Sequence, residues 1–138
     1  MKITLALTAL VGATTVAADS IALGYQLYMG SAIARVMWRD GQDPCNWSNL
    51  GSARCPEEGG LGICTLQSNP CEREFSLPAN GKKYRLKNCG TNNFSLHYYN
   101  SQTFISRGKS APWSVRCGGD ANNQIVKEWE FQCDKPGC

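Results

Sequence analysis

The sequence predicts a mainly β domain, built as a small disulfide-stabilised β-sandwich or open barrel with one long turn-rich loop. Much of the chain alternates apolar and polar residues with a period of two, which is the pattern of half-buried strands. The chain has 138 residues and eight cysteines, and an even cysteine number in so small a domain favours four disulfides. This length suits one domain rather than two.

The first segment has the pattern of a secretory signal peptide. Lys2 precedes an apolar run, and the small residues Val16 and Ala18 stand three and one positions before a cleavage point at Asp19. The run contains threonines and is shorter than the roughly 20 residues that span a bilayer, so a membrane anchor is disfavoured. We therefore predict a signal peptide over residues 1–18, a single disulfide-rich β domain over residues 19–138, and an extracellular location.

Residues 21–38 allow two interpretations. Residues 25–29 and 33–38 read as strands on either side of Gly30-Ser31, which suits a type II′ hairpin turn. The same segment places Ile33, Val36 and Met37 on one stripe of a helix. The sequence therefore leaves open whether this segment is a hairpin or a short helix.

Residues 41–64 are predicted to form a long irregular loop. Glycine, proline, asparagine and aspartate recur through the segment, and such residues favour turns over a packed core. Cys45, Cys55 and Cys64 would attach the loop to the rest of the domain. Trp47 lies in this loop, where a flat aromatic side chain is expected to be exposed and to anchor a partner.

The clearest strand pair spans residues 71–89 and turns at Asn80-Gly81, a strong hairpin signal. Alternation predicts one apolar face and one charged face, on which glutamates oppose cations across the strands. The apolar face carries Phe75, Leu77, Tyr84 and Leu86, and the charged face carries Glu72 and Glu74 opposite Arg85 and Lys87.

A basic run at residues 82–87 contains the binding candidates Tyr84, Arg85 and Lys87. Four cations with an interleaved aromatic residue could contact phosphates or anionic lipid head groups. The facing glutamates are expected to neutralise part of this face. The run is therefore a weak candidate site.

Further strands are predicted towards the C-terminus, at residues 94–99, 113–117 and 124–133. In the last of these, the period of two separates Val126 from four residues on the other face. Those four are Ile125, Lys127, Trp129 and Phe131.

All eight cysteines follow residue 18 and are expected to pair without a free thiol. Zinc modules usually bring closely spaced cysteine pairs, whereas the one short spacing here is Cys133-x4-Cys138 and the single histidine, His97, has no cysteine nearby. No metal and no cofactor are predicted, and the pairing of the cysteines is left open. The eight are Cys45, Cys55, Cys64, Cys71, Cys89, Cys117, Cys133 and Cys138.

The net charge gives little indication of a partner. The chain carries 14 basic and 11 acidic residues, and loss of Lys2 with the signal peptide lowers the net charge by one, from +3 to +2. So small an excess favours neither nucleic acid nor an anionic membrane as a partner. No segment after residue 18 is long and apolar enough to be predicted as a membrane span.

A signal peptide, a short mature chain and an even number of cysteines without adjacent pairs make up one pattern. In this organisation the chain resembles the small cysteine-rich secreted proteins of filamentous fungi. Hydrophobins need two Cys-Cys doublets and the CFEM pattern needs a Cys-x-Cys, and neither arrangement occurs here. Many proteins of the broad class act as effectors or toxins, so the resemblance implies virulence-related action on a host or competitor.

Catalysis has little support in the sequence. A small secreted hydrolase of the ribonuclease type would need His97 with a second acid or base and a cation, for which Glu128, Glu130, Arg107 or Arg116 could serve. No G-x-S-x-G or P-loop motif occurs. The sequence therefore favours a protein that is not an enzyme.

Two N-glycosylation sequons begin at Asn46 and Asn93, which predicts surface positions for both residues in a secreted chain. The prediction as a whole is a secreted, monomeric, disulfide-stabilised binding protein. Its expected partner is a host or competitor protein or a cell-wall glycan. The alternatives are the ribonuclease-like hydrolase and a carbohydrate-binding cell-wall module that uses Trp47 and neighbouring aromatic residues.

Overall fold

The computed structural model describes residues 19–58, 62–65, 68–119 and 122–138, so the predicted signal peptide lies outside it. Within these ranges the chain forms eight strands and three short 3-10 turns. The strands are β1 (Ser20–Tyr28), β2 (Ser31–Arg39), β3 (Gly51–Ser52), β4 (Phe75–Ser76), β5 (Lys83–Lys87), β6 (Ser95–Tyr98), β7 (Phe104–Arg116) and β8 (Asn123–Gln132). The 3-10 turns are Trp47–Asn49, Pro56–Glu58 and Cys117–Gly119.

The strands form one antiparallel sheet in the order β3-β2-β1-β8-β7-β6-β5-β4. The two ends of this sheet come back together, because Ala53 pairs with Phe75 and the Arg54 N–H donates to the Glu74 carbonyl at 3.0 Å. The sheet is therefore a nearly closed barrel. This confirms the predicted mainly β class and selects the barrel over the sandwich.

The core has two parts, one on each face of the β1–β2–β8 region. Ile21, Leu23 and Met37 point into the barrel, together with Tyr84, Leu86, Leu96 and Phe131. The alternate residues Ala22, Val36 and Trp38 pack on the outer face with Cys117 and Ile125. Because the outer face is apolar, it needs a cover, and Cys45 and Leu50 of the segment after β2 pack there.

Residues 21–38 form a hairpin, which excludes the helical alternative. The predicted turn position and type were wrong: Tyr28 pairs with Ser31, so the turn residues are Met29 and Gly30. Both have positive φ, 50° and 78°, which matches type I′ and not type II′. The I′ geometry matches the right-handed twist of the long strands. It requires a positive φ at Met29, which residues other than glycine rarely adopt.

The hairpin of residues 71–89 is confirmed, with Phe75, Leu77, Tyr84 and Leu86 each exposed by no more than 1%. Its turn is longer than a two-residue Asn-Gly turn, because the Leu77 N–H donates to the Lys82 carbonyl at 2.9 Å and only Gly81 within the turn has positive φ. The charge pairs are Glu74 with Lys83 at 3.2 Å and Glu72 with Arg85 at 3.0 Å. The two cations that pair with these glutamates are thus Arg85 and Lys83, and not Arg85 and Lys87 as predicted.

The described parts of the turn-rich segment, residues 41–58 and 62–64, are more regular than the predicted loop. The segment contributes β3 to the sheet, and Ala53, Cys55 and Cys64 are fully buried. The expectation that this segment cannot contribute to a core was therefore wrong for its second half. The reason is that small side chains, which favour turns in sequence, also allow two backbones to approach closely.

All eight cysteines are paired, as predicted, in the disulfides Cys45–Cys117, Cys55–Cys64, Cys71–Cys89 and Cys133–Cys138. Four intramolecular disulfides in one small domain are typical of extracellular proteins. Among the described residues, no helix is both long and apolar enough to cross a membrane.

Alkaline pH is expected to destabilise the fold through Tyr84 and Lys127. Burial raises the pKa of Tyr84 above 10.0. Burial works against the charge of Lys127, but hydrogen bonds to Asp40 and Glu130 outweigh it and raise the pKa above 10.5. Each folded pKa lies above its unfolded value, so this stability is complete below about pH 10 and is lost as the pH rises through the folded values.

Urea unfolding at about pH 8 and at about pH 11 measures this loss. Tyr84→Phe removes one of the groups with a raised pKa, so the free energy of unfolding of this variant should fall less between the two pH values. An equal fall in the variant and the wild type would contradict a role for Tyr84.

Candidate functional site

A groove of about 740 Å³ lies between the segment after β2 and the second half of β7. Its volume lies in the ~300–1,000 Å³ range of small-molecule sites. The lining residues from β2 and the following segment are Trp38, Asp40, Gly41, Gln42, Asp43 and Pro44, and those from β7 and β8 are Ala111, Pro112, Trp113, Val115 and Lys127. We call this surface the Trp113 groove.

Trp113 is the most accessible aromatic side chain of the groove, with 48% of its surface exposed. Its position follows from an interruption of β7, where the pairing with β8 shifts between Ser110 and Trp113. The shifted stretch contains Pro112, which has no N–H to donate to the β8 ladder. The local irregularity places an indole at the surface of an otherwise regular strand.

A buried cation stands at the polar side of the groove. The Lys127 side chain is 9% exposed, and its Nζ donates to Asp40 at 2.8 Å and to Glu130 at 3.0 Å. The same oxygen of Asp40 also accepts from the Ser20 hydroxyl at 3.4 Å. These contacts hold Lys127 and Asp40 in place before any ligand arrives, and the two carboxylates compensate the lysine charge.

Gln42 presents a buried acceptor without a donor. Among the described residues, none donates a hydrogen bond to its side-chain oxygen, although solvent does not reach this atom. An unsatisfied buried carbonyl costs roughly 1–3 kcal/mol, so a ligand group that donates to it would gain correspondingly. In the next residue of the lining, the Asp43 carboxylate accepts from the Cys45 N–H at 2.9 Å and orders the turn.

One disulfide fixes the two walls of the groove. Cys45 follows Pro44 of one wall, and Cys117 follows β7 of the other, with a Cα–Cα distance of 5.2 Å. Trp47 lies two residues beyond Cys45 and is 59% exposed, as predicted for an aromatic residue in this segment. It does not line the groove, so its role as an anchor stays a prediction.

The candidates in the basic run are mostly occupied by intramolecular contacts. Tyr84 is fully buried, and its hydroxyl accepts from Asn80 at 2.8 Å, so it presents no surface to a partner. Arg85 is paired with Glu72 and lies over the Tyr99 ring at 4.5 Å. Lys87 contacts Gln102 at 3.4 Å. The glutamates thus neutralise this face as the sequence indicated, and the run forms no cluster with the Trp113 groove.

His97 has partners at both ring nitrogens. Its Nδ1 lies 3.0 Å from the Gln102 carbonyl, which can only accept, so Nδ1 carries the proton and Nε2 accepts from the Ser95 hydroxyl at 3.0 Å. A Ser-His contact of this kind is the first element of a nucleophilic site. However, Ser95 is 2% exposed, which leaves no room for a substrate at its hydroxyl.

The acids and cations considered as partners of His97 lie elsewhere. Glu128 is paired with Arg35 at 2.5 Å, and Glu130 is bound to Lys127. Arg107 pairs with Ser95 across the β6–β7 ladder, whereas Arg116 pairs with Gln124 at the far end of β7. Of the four candidates, the fold brings only Arg107 close to His97 along the sheet. Among the described residues, no group of three histidine, cysteine or acidic side chains is arranged to hold a metal ion.

The two sequons begin at exposed residues. Asn46 uses its side-chain oxygen to accept from the Ser48 N–H at 3.2 Å, which starts the 3-10 turn at Trp47. Asn93 is exposed, whereas Ser95 of the same sequon is buried. Both asparagines therefore have the surface position that the sequons predict, and their glycosylation stays a prediction.

Comparisons with protein-family models, with curated proteins and with solved structures find no match to this chain. A function must therefore be inferred from the chemistry of the described side chains. The Trp113 groove joins an exposed aromatic ring to fixed polar groups.

Proposed function

We propose that this protein is a secreted, disulfide-stabilised binding protein that acts outside the producing cell on a host or a competitor. The observation that carries the proposal is the Trp113 groove, in which an exposed indole lies beside a fixed Lys127–Asp40 pair and both walls are joined by a disulfide. A surface that is rigid before binding loses little conformational entropy when a partner arrives. Recognition therefore needs no catalytic group.

The disulfides support an extracellular setting for this binding. They hold a domain with a modest core in one shape where no cellular reductant acts on them. Exposed aromatic residues near a disulfide suit a binding hot spot. A tryptophan side chain contributes a large apolar area and loses little rotamer entropy on binding. Trp47 on the same segment is proposed as a second, outer contact.

A small hydrolase is the second candidate, and one observation favours it: the 3.0 Å contact between Ser95 and His97. Burial of the serine and the single histidine weigh against it. Binding is thus the stronger proposal, and the two can be separated by mutation.

Attachment of the purified protein to intact host or competitor cells tests the proposal. Trp113→Ala should reduce attachment at least about tenfold, because it removes the exposed apolar wall of the groove. His97→Ala should leave attachment unchanged and cost only about 1 kcal/mol of stability for its lost hydrogen bonds. If His97→Ala instead abolishes the biological effect while its circular dichroism is unchanged, the hydrolase replaces the binding protein, and RNA digestion is then the assay.

A further inference from the structure

We infer that the Trp113 groove binds a neutral oligosaccharide, with the indole of Trp113 stacked on a sugar ring. This inference rests on the proposed binding function and adds the chemical class of the ligand. It is drawn from three properties of the groove: a flat exposed aromatic wall, a single cation that is already bound by carboxylates, and polar atoms that can bond hydroxyl groups.

The aromatic wall fits the apolar face of a sugar ring. Trp113 is 48% exposed and lines the groove together with the apolar residue Pro112 that precedes it. Trp38, at 1% exposed, closes the floor. Stacking of C–H groups on a large π surface provides affinity without any ligand charge.

The charges of the groove disfavour a strongly anionic ligand. The lining contains one cation, Lys127, and two carboxylates, Asp40 and Asp43. Because Lys127 already binds Asp40 and Glu130, a phosphate or an acidic sugar would meet two carboxylates around the one positive group. A neutral ligand avoids this repulsion.

The remaining polar atoms suit a polyhydroxyl ligand. The buried side-chain oxygen of Gln42 can accept a hydrogen bond, and the structure described here offers it no donor. A sugar hydroxyl can donate to Gln42 and still accept a second hydrogen bond, since it is both a donor and an acceptor. Lys127 and Asp40, held at 2.8 Å from each other, present a further donor and acceptor in fixed positions.

A cationic peptide is the competing ligand, because an arginine side chain could also stack on Trp113 beside a carboxylate. It is the weaker choice, since Asp40 already accepts from Lys127 at 2.8 Å and Asp43 already accepts from the Cys45 N–H at 2.9 Å. It therefore enters the test as a separate arm.

The test is calorimetric titration of the disulfide-intact secreted chain with four neutral hexasaccharides: β-1,4-glucose, β-1,3-glucose, β-1,4-mannose and β-1,4-N-acetylglucosamine. Hexagalacturonate and hexaarginine serve as the anionic and cationic arms. We expect at least one neutral hexasaccharide to bind, and Trp113→Ala to weaken it at least about tenfold. Trp113→Tyr should keep binding within a few-fold, because it preserves a ring.

The matched control is Phe104→Ala, which removes a 51% exposed aromatic side chain from the other end of β7 and should leave the affinity unchanged. Thermal unfolding of each variant excludes loss of the fold as the cause. Gln42→Ala should also weaken binding, and by less than Trp113→Ala. The inference is overturned if no neutral hexasaccharide binds, if hexaarginine or hexagalacturonate alone binds, or if Trp113→Ala leaves the affinity unchanged.

These outcomes are distinguishable from failure of the proposed function. If Trp113→Ala abolishes attachment to cells but no neutral hexasaccharide binds, the groove is a binding site and the ligand class is wrong. If Trp113→Ala affects neither attachment nor titration, the groove is not the binding surface and both proposals fall.

Discussion

Replacing Cys45 and Cys117 together by alanine should lower the free energy of unfolding by about 4 kcal/mol, the largest loss among the four disulfides. The reason is the sequence separation of 72 residues, against 18, 9 and 5 for the others. A long closed loop restricts the unfolded chain most. Urea denaturation of the double variant, with the other six cysteines intact, measures the loss.

The matched comparison is the double alanine variant of Cys133 and Cys138, whose loop spans 5 residues and should be worth about 2 kcal/mol. Each pair includes one well-buried sulfur, Cys117 at 7% and Cys138 at 0%, so the packing losses are of the same kind. Equal losses in the two variants, or a larger loss for Cys133 and Cys138, would contradict the loop-length argument.

The same long-range disulfide has a functional consequence. Without it, the segment from Asp40 to Cys45 is held at Asp40, which binds Ser20 and Lys127, and by the short-range contacts of its turns. The double variant should therefore lose ligand binding at temperatures where circular dichroism still shows a folded barrel. The corresponding variant at the C-terminus should bind normally, because Cys133 and Cys138 do not line the groove.

The strands could be predicted from the sequence because their signals are local. In β8 the period of two predicted one shared face for Ile125, Lys127, Trp129 and Phe131, and this was wrong. The pairing with β1 shifts between Lys127 and Trp129, so Phe131 packs inside the barrel and Ile125 on its outer face, while Lys127 is buried. A lysine on a buried face requires acidic partners, but alternation alone does not name them. Asp40 lies 87 residues away in the sequence, directly after the end of β2. It reaches Lys127 of β8 because β2 and β8 lie on either side of β1 in the sheet.

The groove could not be predicted from the sequence either, because it too depends on contacts between residues that are distant in the chain. Its two walls, residues 40–44 and 111–115, are distant in sequence and are joined by a disulfide that is one of many pairings the sequence permits. One local signal was available: Pro112 beside Trp113 indicates an interrupted strand and therefore an exposed aromatic residue. The exposure of Trp47 could be predicted from the turn-rich composition of the surrounding segment.

The buried position of Tyr84 shows how one pattern can support two incompatible interpretations. Its place in a basic run suggested a binding residue, whereas its place in the alternation with Leu86 required burial. The alternation decides, because a one-residue shift of register would expose the whole apolar face of the hairpin. Alternating faces are thus a stronger guide than local charge composition.

The second large effect concerns Gly24 of β1, which the β8 backbone approaches closely. A Cβ added to Gly24 would overlap the Val126 carbonyl oxygen on β8. The added Cβ is fixed to the β1 backbone and the oxygen belongs to the β8 backbone, so the two strands would have to separate. Gly24→Ala should therefore lower the free energy of unfolding by about 3 kcal/mol, the upper end of the usual cost of overpacking.

Two further glycines provide a graded comparison for Gly24→Ala. A Cβ at Gly51 would overlap the Ser76 carbonyl oxygen, where the ends of the sheet meet. A Cβ at Gly108 would instead press on the Phe94 ring at 2.8 Å, and a side chain can move. Urea denaturation should rank the three losses with Gly24→Ala and Gly51→Ala well above Gly108→Ala, and exposed Ser114→Ala should change little. If Gly24→Ala were as stable as Ser114→Ala, β1 and β8 would have to lie farther apart than the nearly closed barrel requires.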